Sequence, residues 1–232
     1  MSKITTLKLG FSNAFLVQEE GLILVDTGIN VSEDKYLKIF ADLQLDPRTI
    51  SLLLITHGHN DHFAHAKWLK ELTGAPILCH KKALQALRTG QNPEIRARNQ
   101  LGRNALRRIR LAQPKNYQPV EPDVLVDREY DLTPYGIKGQ VIPTPGHSEC
   151  SLSLVLESGE ALVGDLIISS PFTGRPCLAY FTDDEEALLA SAEKLSKLAN
   201  VFYSAHGGPF TREQVLNILQ REHEKKSLAS NQ

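Results

Sequence analysis

The segment Leu52-Leu-Leu-Ile-Thr-His57-Gly-His59-Asn-Asp61-His62 constrains this chain more than any other. A short, wholly apolar run reads as a strand buried on both faces, and such strands belong to sheets covered on both sides. Three histidines and an aspartate follow it at once. His57 and His59 leave the strand on alternating backbone positions and can converge on one ion. Asp61 and His62 open the next helix and can face a second ion beside the first. Imidazole together with carboxylate suits Zn²⁺, Fe or Mn, and carboxylates also bridge ions. The plainer alternative, four polar residues that merely cap a helix, leaves the spacing unexplained.

Three later segments repeat the arrangement of an apolar run closed by a candidate ligand. Gln140-Val-Ile-Pro-Thr-Pro-Gly-His147 sets a histidine behind a Pro-Gly turn. Ala161-Leu-Val-Gly-Asp165 ends in an aspartate. Asn200-Val-Phe-Tyr-Ser-Ala-His206-Gly-Gly ends in a histidine followed by glycines that permit close backbone approach. A lone histidine at a strand end is ordinarily structural. Four strand ends carrying His or Asp are more economically explained by one shared site. Asp26, in Leu-Val-Asp26-Thr-Gly28, is a fifth, read either as a turn-forming carboxylate or as a group that orients a ligand or the metal loop.

The other apolar runs give the layout. Strands are predicted at Leu22–Val25, Leu52–Ile55, Ile77–Cys79, Gln140–Ile142, Leu152–Leu156, Ala161–Val163 and Val201–Tyr203. Apolar residues at steps of three and four predict helices over Asp61–Leu72, Glu185–Leu198 and Arg212–Glu222. This mixture predicts an α/β protein with packed sheets covered by helices. At 232 residues and 41% hydrophobic, the chain can bury the core of one fairly large domain, 1–232. No apolar run approaches the length that crosses a bilayer. The N-terminus lacks the apolar core and cleavage site of a secretory signal. Three scattered cysteines (Cys79, Cys150, Cys177) argue against a disulfide framework. A cytoplasmic protein is the expectation.

A net charge of −1 excludes a polycation built to hold nucleic acid, but one stretch departs from it. Between Arg88 and Lys115 stand eight basic residues (Arg88, Arg96, Arg98, Arg103, Arg107, Arg108, Arg110, Lys115) and one acid, Glu94, a net of +7 that leaves −8 elsewhere. Leu101, Ala105, Ile109 and Ala112 recur at helical spacing, so a basic amphipathic helix is predicted, starting after Asn92 with Pro93 at its first position. A solvated face, a cap that draws an anionic substrate to the metal site, and a nucleic-acid surface are its three readings. Scarce aromatics and the acidic remainder weigh against the last.

Taken together, HGHNDH, TPGHS, GD and AHGG resemble the metallo-β-lactamase superfamily, in that order and over nearly the whole chain. The resemblance implies a four-layer αββα sandwich with the metal site at one edge of the two sheets. It implies that His57, His59 and His147 hold one ion, that Asp61, His62 and His206 hold another, and that Asp165 bridges them. The cofactors expected are two divalent ions, Zn first, with Fe or Mn compatible. The bridging aspartate is closer to the glyoxalase II and lactonase branch than to true β-lactamases. Only 26 residues follow His206, too few for the helical glutathione-binding domain of full-length glyoxalase II. Ala64-His65 and Cys150 depart from common patterns of the family without removing a ligand.

The activity implied is hydrolysis of a small ester, thioester, lactone or phosphodiester by a metal-bridged hydroxide, with Asp61 holding or accepting a proton. Two alternatives belong to other classes: a persulfide dioxygenase-like protein using one iron, and a non-catalytic metal-binding module. The partner expected is a small-molecule substrate, in one reading anionic, with no membrane and no nucleic acid. Arg175 and Tyr180 are the candidates for substrate contact, because family members often line the pocket there. His65, His80 and His223 are read as structural or surface residues, and Cys150 as a small buried one.

Overall fold

Alternation along the strands decides which layer each side chain enters. In a computed structural model, which describes residues 2–111 and 117–230, two six-stranded sheets lie face to face. Ala112 and Lys115 of the basic stretch fall outside the described residues. The first sheet runs β1 (Lys3–Leu9), β2 (Ser12–Gln18), β3 (Leu22–Val25), β4 (Leu52–Leu54), β5 (Ile77–His80), β6 (Val124–Val126) in spatial as in chain order. Strands β1 to β3 are antiparallel, and β3 to β6 are parallel. The second contains β7 (Tyr130–Asp131), β8 (Gly139–Pro143), β9 (Leu152–Leu156), β10 (Glu160–Leu162), β13 (Val201–Ser204) and β14 (Gly207–Thr211), in the order β14-β13-β10-β9-β8-β7. A separate hairpin joins β11 (Ile167–Ser169) to β12 (Pro176–Leu178). The helices are α1 (Glu33–Asp42), α2 (Asn60–Phe63), α3 (Ala66–Thr73), α4 (Leu84–Thr89), α5 (Gln100–Leu111), α6 (Glu185–Leu198) and α7 (Arg212–Ser230).

Three apolar clusters separate the four layers. Phe15, Val17, Ile23, Val25, Leu52 and Leu54 of the first sheet meet Val141, Leu152, Leu154 and Leu162 of the second. The alternate residues Leu16, Leu24, Leu53 and Ile55 face outward onto Tyr36, Phe40, Phe63 and Leu69 of α1, α2 and α3. On the far side, Ile142, Val155 and Ala161 pack on Leu188, Leu195, Val215 and Ile218 of α6 and α7. Strands such as Leu22–Val25 are apolar at every position because both of their faces are covered. The architecture is the αββα sandwich.

Several elements depart from the sequence pattern. No strand is predicted before Leu22, yet β1 and β2 pair along their full length. The helix expected over Asp61–Leu72 is broken between α2 and α3, because Thr27 takes over its ladder: its N–H and hydroxyl donate to the His62 carbonyl, and its hydroxyl accepts from the His65 N–H. Asp61 O, which would otherwise receive His65, accepts instead from Ser12 Oγ. The basic helix begins at Gln100, not at Pro93. Asn99 starts it, with its side chain accepting from Gly102 N and its carbonyl from Arg103 N. Just before it, Ala97 forms an antiparallel bridge to Phe181, with hydrogen bonds from Arg98 N to Tyr180 O and from Thr182 N to Arg96 O.

Gly146 marks where the sheet turns toward α6. Its φ is +135°, and a Cβ there would stand 2.2 Å from Leu188 Cα. Its carbonyl accepts from Asp183 N, Asp184 N and Thr182 Oγ1, so the turn and the helix start are one unit. Replacement by alanine (G146A) is expected to cost about 3 kcal/mol in chemical denaturation, combining backbone strain with overpacking. At Gly74, where φ is +73° but nothing lies within 4 Å, G74A is expected to cost about 1 kcal/mol.

Candidate metal centre

Strand polarity brings the polar strand ends together. Strands β3 and β4 are parallel, so Asp26 and the His57 loop leave the first sheet on the same edge. Strands β8 and β10 both oppose β9, and β13 is parallel to β10, so the segments carrying His147, Asp165 and His206 leave the second sheet on one edge too. The edges are laced to one another: Leu152 N donates to Thr56 O at 2.8 Å, and Asn13 N to Ala205 O at 2.8 Å. The loop from His57 to His62 is pinned in the same way, with Gly58 N donating to Cys150 Sγ and Asn60 N to Asn92 Oδ1.

Two groups of side chains result. His57 Nε2, His59 Nδ1 and His147 Nε2 form a triangle with sides of 3.0–3.1 Å. Beside it stand Asp61, His62, Asp165 and His206, each offering a ligand atom within 4.8 Å of the others. Asp165 touches both groups: Oδ2 is 3.6 Å from His147 Nε2 and 3.2 Å from His206 Nε2, and Oδ1 is 3.3 Å from His62 Nε2. His62 Nε2 and Asp165 Oδ1 are buried and, being out of line with one another, have no hydrogen-bond partner.

Four of the imidazoles are oriented from behind. His57 Nδ1 donates to Thr56 Oγ1, His62 Nδ1 to Asp26 Oδ2, His147 Nδ1 to the Phe181 carbonyl and His206 Nδ1 to the Phe11 carbonyl. Each bond fixes the tautomer and turns the lone pair of Nε2 inward. Asp26 is the hub of this support. Besides His62 it accepts from Thr56 N and Thr56 Oγ1, each at 2.8 Å, and it holds a φ of +59°, a conformation few non-glycine residues adopt.

Such an arrangement fits a metal. Tetrahedral ligands at zinc–nitrogen distances of ~2.0–2.1 Å stand about 3.3 Å apart, close to the spacing of the triangle. Burial, reinforced by neighbouring imidazoles, holds His57 and His147 below the usual histidine range and His59 down to about 3, so all three are neutral near pH 7 and able to bind an ion through a ring nitrogen. In the second group burial again opposes charge, but the carboxylates win. Asp26, Asp61 and Asp165 raise His62 well above its ordinary value, and Asp165 with Asp61 lifts His206 to about 10. Burial would raise Asp61, yet His62 and His206 bring it down to about 2. Protons on His62 and His206 therefore balance the carboxylates when no ion does.

Residues 7–207 match the profile of the metallo-beta-lactamase superfamily, and the chain belongs to that superfamily. It is 24% identical over 224 residues to the probable metallo-hydrolase YflN of Bacillus subtilis (strain 168), covering 88% of this chain and 84% of that protein. The fold superposes on the BLEG-1 B3 metallo-beta-lactamase with a TM-score of 0.72 at 20% identity, over 93% of this chain and 97% of the other. It superposes on TTHA1623 in a di-iron-bound form with a TM-score of 0.66 at 24% identity, over 93% and 98%. The chain is thus a metallo-hydrolase-family protein with a His/Asp metal-binding site.

The seven candidate ligands meet at one place. Arg175 is exposed at the turn before β12, and Tyr180 donates to Ser170 Oγ. Their hairpin does adjoin the site, since Ser169 N donates to His206 O at 2.7 Å. His65 lies against the Tyr36 ring, His80 caps a turn at Lys82, and His223 pairs with Glu193. Residues the sequence reading overlooks are Thr56, Asn92 and the carbonyls of Phe11 and Phe181. Thr56, directly before the motif, carried a usable signal; a carbonyl carries none.

Two outcomes follow. Asp26→Asn is expected to weaken metal binding about 10- to 100-fold in competition with a chromogenic chelator, since His62 loses its charged partner. Metal loading near pH 7 is expected to release about two protons, from His62 and His206, in calorimetry across buffers of different ionisation enthalpy. Because both pKa values are raised, protons compete with the ion below them, so apparent affinity increases as pH rises from 6 toward His206's value of about 10.

Proposed function

We propose that this protein is a dinuclear metal-dependent hydrolase acting on a small ester, thioester, lactone or phosphodiester. In this reading His57, His59 and His147 hold one divalent ion, Asp61, His62 and His206 the other, and Asp165 is shared. The observation that carries it is the position of Asp165, within 3.6 Å of a nitrogen from each group. A single iron held by a subset of these residues leaves the convergence of Asp61, His62 and His206 without a purpose. Zinc fits the nitrogen-rich first group, and iron or manganese suits the carboxylate-bearing second.

Divalent ions there would lower the pKa of a bound water and polarise the bond under attack. The chain's own residues do the rest. Asp61 and His206 are the ligand side chains most open to solvent, at 15% and 16% exposure, so substrate enters on their side. Asp61 is placed to hold or accept a proton beside the reacting atoms. Phe11, 71% exposed with its ring 4.7 Å from that of His206, gives the entrance an apolar rim. Two divalent ions against Asp61 and Asp165 leave the centre positive, which favours an anionic substrate.

The basic insertion at about 88–115 adds to that preference within a single domain, 1–232. Arg88 pairs with Glu121, Arg96 with Glu94, and Arg98 with Glu185 and Glu222. Among the described residues no acid pairs with Arg103, Arg107 or Arg108. These three supply the positive field that draws an anion in. No helix among the described residues is long and apolar enough to cross a membrane.

The test is an activity screen of metal-loaded protein over chromogenic esters, thioesters, lactones and phosphodiesters, with metal analysis. Two ions per chain and hydrolysis of at least one class are expected, with His59→Ala and Asp165→Ala losing metal and at least ~100-fold in rate. A fully loaded protein inert on the whole panel, or one iron with oxygen uptake on a persulfide, would defeat the assignment. Neutralising Arg103, Arg107 and Arg108 to glutamine is expected to raise KM several-fold for an anionic substrate at low salt, with kcat little changed and the difference shrinking as salt rises.

A further inference from the structure

The insertion is coupled to the metal centre by the geometry of one short strand pair. Residues 96–98 run antiparallel to residues 180–182, with Ala97 opposite Phe181. Arg98 N donates to Tyr180 O, and Thr182 N donates to Arg96 O, both at 2.9 Å. Backbone groups alternate sides along such a pair. Tyr180 O and Thr182 N therefore face the insertion, while the Phe181 carbonyl faces away from it. On that side it accepts from His147 Nδ1 at 3.0 Å, the bond that turns Nε2 into the imidazole triangle. A slip of one residue would point the Phe181 carbonyl at the insertion and leave His147 without its acceptor.

The register has a visible anchor. The Arg98 side chain, 10% exposed, donates through Nε to Glu185 at 3.0 Å at the start of α6 and through Nη2 to Glu222 in α7. Gly102 adds to this from the first turn of α5, where a Cβ would stand 2.3 Å from Tyr180 O. At the other end of the insertion, Asn92 Oδ1 accepts from Asn60 N at 2.7 Å, next to Asp61 and His62.

We propose that Arg98 is a positioning residue of the metal centre. Anchored by Glu185 and Glu222, it sets the strand that holds the Phe181 carbonyl against His147, and so governs how tightly the His57–His59–His147 group keeps its ion. This rests on the metal reading given above. It also gives the insertion a task separate from its charge: Arg98 acts through backbone geometry, whereas Arg103, Arg107 and Arg108 act through their field.

The experiment is Zn²⁺ titration of the full chain against a chromogenic chelator, for wild type, Arg98→Met, Arg98→Lys, Glu222→Gln and His147→Ala, with the Tm of each metal-free protein. Loss of a bond that orients a metal-binding histidine weakens affinity about 10- to 100-fold. Arg98→Met is expected to show this for one ion and not the other, Glu222→Gln less, and Arg98→Lys partial recovery. The nitrogen NMR shifts of His147 are expected to lose their Nδ1–H signature in Arg98→Met. Should Arg98→Met fail to fold, Glu222→Gln decides by the same measure. Wild-type affinity at both sites in these variants, while His147→Ala loses one ion, overturns the proposal. Equal weakening at both sites in step with Tm overturns it as well, since that is a purely structural effect. If wild type binds no Zn²⁺, or His147→Ala binds as wild type does, the metal reading itself fails and the proposal with it.

Discussion

The structure depends on holding buried imidazole nitrogens and carboxylate oxygens within 3.0–3.6 Å of one another. Nε2 of His57 and of His147, whose Nδ1 atoms already donate outward, stand 3.1 Å apart and are held so close by a proton on His59 Nδ1 or by a cation between them. In the second group the carboxylates raise His62 and His206 above the ordinary histidine range, so protons and a metal ion would compete for the same nitrogens. Neither arrangement would persist in a flexible chain. Each depends on donors fixed from outside: Asp26, Thr56 and two carbonyls orient the rings, and the sheets beneath keep those groups still.

That rigidity comes from the four layers. Leu52 and Leu54 look into the interface between the sheets while Leu53 and Ile55 look toward the helices, so both faces of β4 are covered, and its register is held by pairing with β3 and β5 on either side. The loop that follows inherits this register, and His57 inherits its direction from it. Strand polarity does the corresponding work for the second sheet. With β8, β10 and β13 running the same way, His147, Asp165 and His206 emerge on one edge although 59 positions separate the first from the last.

Around this framework the charge is unevenly distributed. The chain is nearly neutral, but a strongly basic segment is inserted between the first histidines and His147. The structure divides its cations into two sets. Arg88, Arg96 and Arg98 pair with neighbouring acids, and Arg98 ties the insertion to α6 and α7; Arg103, Arg107 and Arg108 have no acidic partner among the described residues. Arg98 docks the segment, and Arg103, Arg107 and Arg108 stay exposed on it.

The sequence by itself determined the alphabet of the site and the layering of the fold. Apolar runs ending in His or Asp can be read directly, because a strand buried on both faces has no polar positions and the first polar residue past it marks an edge. The same logic found Glu185–Leu198 to the residue, since a helix packed on one face writes its period into the sequence. Three things only the tertiary structure decided. Thr27 breaks the helix after Phe63 by capturing backbone groups 35 and 38 residues away, a contact no local pattern encodes. The basic helix starts at Gln100 because the residues before it are paired with a distant strand, overriding the start that Pro93 suggested. And the histidines are aimed by the carbonyls of Phe11 and Phe181, groups that every residue possesses. Their role lies in where the backbone passes, which residue identity does not record.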